Sequence, residues 1–300
     1  MKLGKYFTTT AIAGAIGYMA PHLPKQWNTP IEPMKDRIVS KVADTIKHKD
    51  ILVIDGFNKN IINLDKNGRG DISHGRITSG IIEKGLPNAN VYKRNIKQSD
   101  MENIDSMQTN IVKPLLKDMR NGVKYDAINL SIGTEMSFGE LSARMGKDIN
   151  PQNILYKSGE VKEYLRENAQ EMGGVTESAM ALVDCMDSIS AKGTDIYVSA
   201  GNGGAGSFNF LSLIDDAINV GSIRKDGIVK KYSEDNSLIN RWIDDTLPLE
   251  TTKNGYSIDT GNGTIDVDKS ACSGLFHMRV NKNLHGTSFA SPKALVEDLK

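Results

Sequence analysis

The sequence is poor in cysteine and has no excess of charge of either sign. Its 300 residues contain two cysteines, Cys185 and Cys272, and 37 Lys and Arg residues against 37 Asp and Glu residues. Two cysteines match no zinc-binding spacing and are too few for a disulfide framework. A single disulfide between them is left as an alternative. Cys185, in the segment ALVDCMDSI, is more typical of a buried helix residue. The balanced charge provides no basic field, so neither nucleic acid nor an anionic lipid surface is an expected partner.

The chain also lacks a long apolar run. Its first segment, MKLGKYFTTTAIAGAIGYMAP, places Lys2 and Lys5 ahead of a weakly apolar stretch that contains small residues. This pattern resembles a secretory signal and is too short and polar for a stable membrane span. Residues 1–20 are therefore interpreted as a signal or leader, with a disordered or amphipathic leader as the alternative. A secreted or periplasmic location is expected, and a cytoplasmic one is the alternative.

No internal repeat, low-complexity tract or proline-rich linker divides the chain. With 39% hydrophobic and 25% charged residues, the composition excludes disordered and collagen-like classes. A chain of this length can bury a large core, either as one large α/β domain or as two small ones. The oligomeric state cannot be predicted from these features.

Short apolar segments of strand character alternate with helix-like segments. The run DILVIDG is typical of a β-strand that is buried on both faces of a sheet. Similar runs are ANVYKRNI, YDAINLSIG, TDIYVSAGN and DAINVGSI. Helix-like segments lie at residues 73–84, 100–120 and 175–191. This alternation predicts a three-layer α/β fold with a mostly parallel central sheet and helices on both faces.

The distribution of apolar and charged residues predicts the domain organisation. Residues 21–49 are interpreted as a helical lead-in, since apolar residues recur there near helical spacing. Residues 50–300 form the main domain. Within it, the Met- and charge-rich residues 134–173 are interpreted as an insertion, and residues 232–284 as irregular or hairpin structure.

Four polar residues fall where functional groups collect in such a sheet, at the carboxyl ends of strands. Asp55 ends the first apolar strand, His74 begins the next helix in SHGRITSG, Asn202 ends the strand of IYVSAGN, and Ser288 begins the last helix in HGTSFASP. Each has an ordinary structural explanation as a turn, surface or helix-capping residue. As a set they supply what acyl transfer needs: a nucleophile, a base, a carboxylate that orients the base, and an oxyanion donor.

The blocks ILVIDG, SHGRITSG, AINLSIG, VSAGNGG and HGTSFASP, in this order, resemble those of the subtilisin-like serine peptidases, or subtilases. The order Asp, His, Ser along the chain is that of this family and not of other triad folds. The resemblance covers residues 50–300 and implies a serine endopeptidase that acts on polypeptides. It also implies the roles: Asp55, His74 and Ser288 as the triad and Asn202 as the oxyanion donor.

The resemblance further implies two segments that bind the substrate. One is an edge that pairs with an extended peptide backbone, and the other completes the wall of the pocket for the residue before the cleaved bond. These segments contain Ser131, Ile132 and Gly133, and Ala200, Gly201 and Gly203.

Neither segment carries a charge, and Gly203 follows the oxyanion asparagine where a charged residue can tune the family's preference. A pocket without a fixed charge cannot compensate the desolvation of a buried ionic side chain. Cleavage after neutral residues is therefore expected. Glu135 or Glu140 would change this expectation if either reached the pocket from the predicted insertion.

The sequence departs from the family at several positions. Gly56 and Phe57 follow the aspartate where the family usually has a small residue and then glycine, and Thr78 stands where valine is usual. Residues 21–49 are too few for the chaperone-like propeptide of the family, which leaves a minimal variant and an incomplete chain as alternatives.

No cofactor or metal is assigned from the sequence. The stretch DKNGRGDISHGR imitates an EF-hand loop, but Arg69 and Arg76 replace ligands at its fifth and twelfth positions. Calcium is therefore suggested by the family resemblance alone, with no assignable site.

Two other functions are open beside an active endopeptidase. The chain could be a catalytically silent, subtilase-like binding module. It could also be a different serine hydrolase such as an esterase, which is disfavoured because no G-x-S-x-G elbow surrounds Ser288.

Overall fold

The structure is a computed structural model, and it describes residues 48–57, 61–64, 71–268 and 283–300. The predicted leader, nearly all of the helical lead-in, and Cys272 lie outside the described residues. So does the first half of the EF-hand-like stretch, residues 65–70.

The strands within these ranges are β1 (Asp50–Asp55), β2 (Ile61–Asn63), β3 (Asp71–Ser73), β4 (Asn90–Asn95), β5 (Ala127–Leu130), β6 (Glu135–Ser137), β7 (Asp195–Ser199), β8 (Ser207–Asn209), β9 (Ile218–Ile223), β10 (Arg241–Asp244), β11 (Leu247–Thr251), β12 (Gly255–Asp259), β13 (Thr264–Asp268) and β14 (Asn283–Leu284). The α-helices are α1 (His74–Gly85), α2 (Gln98–Glu102), α3 (Ile104–Met107), α4 (Lys113–Arg120), α5 (Phe138–Met145), α6 (Ser158–Met172), α7 (Gly174–Ser190) and α8 (Thr287–Leu299). A π-helical turn (Gln108–Val112) joins α3 to α4, and a 3-10 turn (Phe210–Leu213) follows β8.

Six strands form a central sheet in the order β10-β9-β7-β5-β1-β4, and every neighbouring pair is parallel. The first strand lies inside this sheet, and its apolar residues Ile51–Ile54 are buried. An apolar run without alternation is what a strand covered on both faces requires. By contrast, β4 is a partly exposed edge strand. The predicted parallel sheet is confirmed.

Helices cover both faces of the sheet. Because successive side chains of a strand point to opposite faces, Ile51 and Val53 pack in one core with residues of α1 and α8, such as Ile82 and Leu295. Leu52 and Ile54 pack on the other face, in a larger core that includes residues of α7. This is the three-layer α/β architecture that the sequence predicts.

The segment 134–173 contributes to the larger core. It forms β6, α5 and α6, and its residues Leu141, Ile154 and Leu165 are fully buried in the same cluster as the residues of β1. Strand β6 pairs antiparallel with β8, which joins the start of this segment to the stretch after β7.

A second sheet lies within residues 232–284, the region interpreted as irregular or hairpin structure. Strands β11, β12 and β13 form an antiparallel meander, and β14 pairs with β11. The meander packs against α1 through a third apolar cluster that contains Ile81, Tyr256 and Ile265. It therefore supports the helix that begins with His74.

Candidate active site

Asp55 is the last residue of β1 and is fully buried. One carboxylate oxygen accepts hydrogen bonds from the Gly56 backbone N–H at 2.6 Å and lies 2.7 Å from Nδ1 of His74. The other accepts from the hydroxyl of Thr78 at 2.8 Å. Thr78 is one of the departures from the family pattern, and its hydroxyl gives the carboxylate a donor that valine could not provide. Several donors around one carboxylate stabilise its charge inside the protein.

His74 is the first residue of α1 and bridges two other residues. Its Nδ1 lies 2.7 Å from Asp55 Oδ1, and its Nε2 lies 2.8 Å from Ser288 Oγ. Because a carboxylate accepts at Nδ1, we assign the ring proton to Nδ1, which leaves Nε2 as the acceptor for the serine hydroxyl. The ring also stacks on Phe289, with ring centroids 5.4 Å apart. These contacts hold the imidazole in one orientation.

Ser288 lies in the first turn of α8, a helix that contains Pro292. Proline has no backbone N–H, so the carbonyl of Ser288 cannot receive the usual helical hydrogen bond from residue 292. The buried Ser131 hydroxyl donates to that carbonyl at 2.8 Å instead, and it accepts from the Asn129 side chain at 2.8 Å. The backbone of Ser288 is therefore fixed by residues at the carboxyl end of β5.

Asn202 follows β7 and lies beside the start of α8. Its side-chain oxygen accepts from the backbone N–H of Thr287 at 3.1 Å and from the Thr287 hydroxyl at 3.2 Å. These bonds assign the amide orientation, and they leave the side-chain Nδ2 as its remaining donor. The amide can thus donate to a group bound next to Ser288.

A cleft of about 420 Å³ runs over these residues. It is also lined by the apolar side chains of Ile62, Ile96 and Met101. Ala200 is fully buried, and neither it nor Gly203 is among the residues lining the cleft. The predicted site residues that line it are His74, Ser131, Ile132, Gly133, Gly201, Asn202 and Ser288.

Glu135, one of the two glutamates that could change the expected preference for neutral residues, also lines the cleft. It begins β6, and its carboxylate accepts from the backbone N–H of Asn202 at 2.6 Å. Glu140, the other glutamate considered from the sequence, pairs with Arg144 along α5. The sequence could place Glu135 close behind the segment Ser131–Gly133, but only the pairing of β6 with β8 brings it against Asn202.

Glu234 is a second acidic residue next to the cleft, and no motif in the sequence indicated it. It is fully buried and accepts hydrogen bonds from the backbone of Asn209 at 2.8 Å and from the hydroxyl of Ser207 at 3.2 Å. Burial, and secondly the charge of Glu135, raise the pKa of Glu234 to about 9. Its carboxyl group is therefore protonated at neutral pH.

Asp245 is a third buried acidic residue that sequence reasoning missed. Its carboxylate accepts from the backbone N–H of Gly286 at 2.7 Å and from the Ser222 hydroxyl at 3.0 Å. It is also bonded to the Tyr232 hydroxyl and to the ammonium group of Lys230. The group thus anchors the chain two residues before Ser288.

The described ranges contain no cluster of three or more His, Cys, Asp or Glu residues placed to hold a metal ion. Within the same ranges, no helix has the length and apolar character needed to span a membrane. Cys185 is buried in α7, as the sequence indicates, and burial raises the pKa of its thiol to about 11.

A parallel α/β sheet with a serine, a histidine and an aspartate hydrogen-bonded in series at the carboxyl ends of its strands is characteristic of serine hydrolases. The model of the Subtilase family matches residues 46–294. The chain therefore belongs to the subtilase family, and it is a serine peptidase, as the resemblance of its motifs implies.

Solved structures of proteases are similar to this chain at low sequence identity. A lanthipeptide protease is 16% identical, with a TM-score of 0.43, and the match covers 83% of this chain and 71% of that chain. A cold-adapted subtilisin-like serine proteinase is 14% identical (TM-score 0.40; 81% and 71% covered). The prenylagaramide maturation protease PagA is also 14% identical (TM-score 0.44; 85% and 76% covered). No curated protein matches the sequence.

Proposed function

We propose that the chain is an endopeptidase in which Ser288 is the nucleophile, His74 the general base and Asp55 the residue that orients the base. The observation that carries the proposal is the continuous series of hydrogen bonds, 2.8 Å from Ser288 Oγ to His74 Nε2 and 2.7 Å from His74 Nδ1 to Asp55 Oδ1. Both distances are within the range in which a proton can be transferred.

The steps follow from this arrangement. Ser288 Oγ attacks the carbonyl carbon of the peptide bond while His74 Nε2 takes the hydroxyl proton, and the imidazolium that forms is stabilised by the Asp55 carboxylate. His74 then protonates the leaving amine, which departs and leaves an acyl group on Ser288. In the second half, His74 takes a proton from water, the water oxygen attacks the ester, and the proton returns to Ser288.

Asn202 is proposed to stabilise the negative charge on the carbonyl oxygen in both halves of the reaction. Thr287 occupies the side-chain oxygen of Asn202 with two hydrogen bonds, which supports donation from Nδ2 into the cleft. The substrate is proposed to run along Ser131–Gly133 in extended form. A secreted location and the lack of a required cofactor stay predictions from the sequence.

A catalytically silent binding module is the alternative left open by the sequence. The ordered hydrogen bonds from Asp55 to Ser288 favour an enzyme, because a binding module would not need a base in contact with the serine hydroxyl.

Labelling with a fluorophosphonate probe tests whether Ser288 is the reactive nucleophile. Wild-type protein should be labelled and should cleave a mixed peptide library, whereas Ser288→Ala should do neither and should unfold at an unchanged temperature. Ser188→Ala is the matched control, since Ser188 is an exposed serine on α7 that is not among the residues lining the cleft. Labelling that persists in Ser288→Ala would refute the assignment of the nucleophile.

His74→Ala tests whether the residues act as a unit. It should abolish labelling as Ser288→Ala does, and the double variant should be scarcely less active than either single variant, because members of one catalytic unit are not additive. Activity losses that multiply in the double variant would mean that the two residues act separately.

A further inference from the structure

The carboxylate of Glu135 is built into the wall of the cleft beside the proposed oxyanion donor. One oxygen accepts from the backbone N–H of Asn202 at 2.6 Å, and Asn202 in turn lies against Thr287 at the start of α8. Glu135 is exposed, and it lines the same cleft as Ser288 and His74. A group bound at Ser288 with its carbonyl oxygen on Asn202 would therefore place its own side chain close to this carboxylate.

Glycines make room for this carboxylate. A Cβ atom on Gly203 would lie 2.6 Å from one oxygen of Glu135, and a Cβ on Gly201 would lie 3.1 Å from the other. Gly201 also adopts φ = +112°, a conformation that favours glycine. A larger residue at Gly203 would meet the Ser207 hydroxyl as well as Glu135, and at least one of these side chains would have to shift, so the geometry of this wall depends on residues without side chains.

Glu234 determines how much charge the pocket carries. Its carboxyl group lies under the same segment, 2.4 Å from where a Cβ of Gly201 would be. Burial, and secondly the charge of Glu135, raise the pKa of this carboxyl group to about 9, so it is protonated at neutral pH and adds no second negative charge beside Glu135. Within the described ranges, no lysine or arginine forms a salt bridge with Glu135, and the lysine that lines the same cleft is Lys97.

We propose that Glu135 makes the enzyme select a cationic side chain, lysine or arginine, in the residue that precedes the cleaved bond. The inference rests on the proposed function, because it takes the acyl group to be bound at Ser288. A neutral apolar side chain would remove water from Glu135 without replacing its hydrogen bonds, which is unfavourable. An ammonium or guanidinium group would instead form a charge-assisted hydrogen bond with the carboxylate. The methylene stem of either side chain can pack against the partly exposed Ile132.

Paired substrates test this selectivity. The first pair of peptides differs only in the residue before the cleaved bond, which is lysine in one and its uncharged analogue norleucine in the other. The second pair has arginine or citrulline at the same position. The members of each pair are compared by kcat/KM. Wild-type enzyme should prefer the cationic member of each pair by about tenfold or more. In Glu135→Gln, which keeps an oxygen for the Asn202 N–H, the preference should fall by roughly 10- to 100-fold. Glu140→Gln is the matched control, and the preference should be retained because Glu140 pairs with Arg144 outside the cleft lining.

A binding measurement keeps the inference testable apart from catalysis. Calorimetry with Ser288→Ala should give tighter binding of the lysine peptide than of the norleucine peptide, because this variant retains Glu135. Equal affinity, a preference for norleucine, or the absence of measurable binding of either peptide would overturn the role of Glu135. Failure of Ser288 labelling in the wild type would instead refute the proposed function, so the two failures are distinct.

Discussion

Three buried carboxyl groups around Ser288 are accommodated by different neighbours. Asp55 accepts from two neutral donors, Gly56 and Thr78, and contacts His74, whereas Asp245 contacts the cation of Lys230. Glu234 has only the neutral donors Ser207 and Asn209 and also faces the charge of Glu135. Burial, and secondly the nearby charge of Glu135, favour the protonated form of Glu234, which explains its raised pKa.

Glu234 should make the stability of the protein decrease with pH. Its pKa is about 9 in the folded protein against 4.5 for an unperturbed glutamate, so between these values the folded state keeps a proton that the unfolded state releases. The free energy of unfolding contributed by this residue is complete below the lower value and is lost as pH rises through the upper one. Glu234→Gln, which mimics the protonated form, should remove this decrease.

Urea unfolding of both proteins at about pH 5 and at about pH 8.5 measures the effect. The variant should gain stability relative to the wild type at the higher pH. A difference between the two proteins that is the same at both pH values would show that Glu234 is ionised in the folded state.

At the scale of elements, two helices bring His74 and Ser288 together. Helix α1 and helix α8 pack closely: a Cβ atom on Gly85 would lie 2.3 Å from a methyl carbon of Val296. Glycine at this contact lets the two backbones approach, and both helices cover the same face of the sheet. The close approach of the two helices therefore depends on Gly85, at the opposite end of α1 from His74.

Pro292 and Ser131 should be energetically coupled. In the wild type, the Ser131 hydroxyl donates to the Ser288 carbonyl, because Pro292 has no backbone N–H to donate to it. Ser131→Ala should destabilise the protein by about 1–3 kcal/mol, since it leaves this carbonyl without its hydroxyl donor. Pro292→Ala adds a backbone N–H at the position from which a helix normally supplies this bond, so Ser131→Ala should cost less in that background.

The four proteins of this double-mutant cycle are compared by urea unfolding. The expected interaction energy is about 0.5–3 kcal/mol. Strictly additive costs would show that the alanine N–H does not substitute for the serine hydroxyl.

At the scale of the whole molecule, one continuous core extends from the sheet into the segment 134–173. Leu165 on α6 is fully buried in the cluster that contains Leu52 and Ile54 of β1. The segment also carries Glu135 at its start, so the same stretch of chain stabilises the fold and lines the cleft.

Leu165→Ala should therefore destabilise the entire domain and not only its own helix. The expected loss is about 2–5 kcal/mol, because the substitution leaves a cavity in a packed core. Unfolding that is monitored by a spectroscopic signal from the whole protein should remain a single transition, with a lower midpoint than that of the wild type. Tyr156→Ala, at a residue of the same segment that is 88% exposed, should change stability by less than about 0.5 kcal/mol. Similar effects of the two substitutions would indicate that the segment does not share the core.

The amino-acid sequence by itself determined the parallel sheet and the positions of the four proposed catalytic residues along it. Strands buried on both faces are uniformly apolar, and such runs end at Asp55 and shortly before Asn202. Helix starts are similarly local features, which is why His74 and Ser288 were found at the beginnings of α1 and α8. These features depend on residues that are neighbours in the sequence, and the sequence alone therefore predicts them.

Only the tertiary structure decided which charges meet in the cleft. Glu135 contacts Asn202 because β6 pairs with β8, and Glu234 lies beneath Gly201 because a later loop folds back under the same segment. Asp245 reaches Gly286 in the same way, across the space between two distant parts of the chain. No periodicity or motif encodes such contacts, since burial and charge pairing arise from groups that the folded backbone brings together. The pKa of Glu234 and the selectivity proposed for Glu135 follow from that packing.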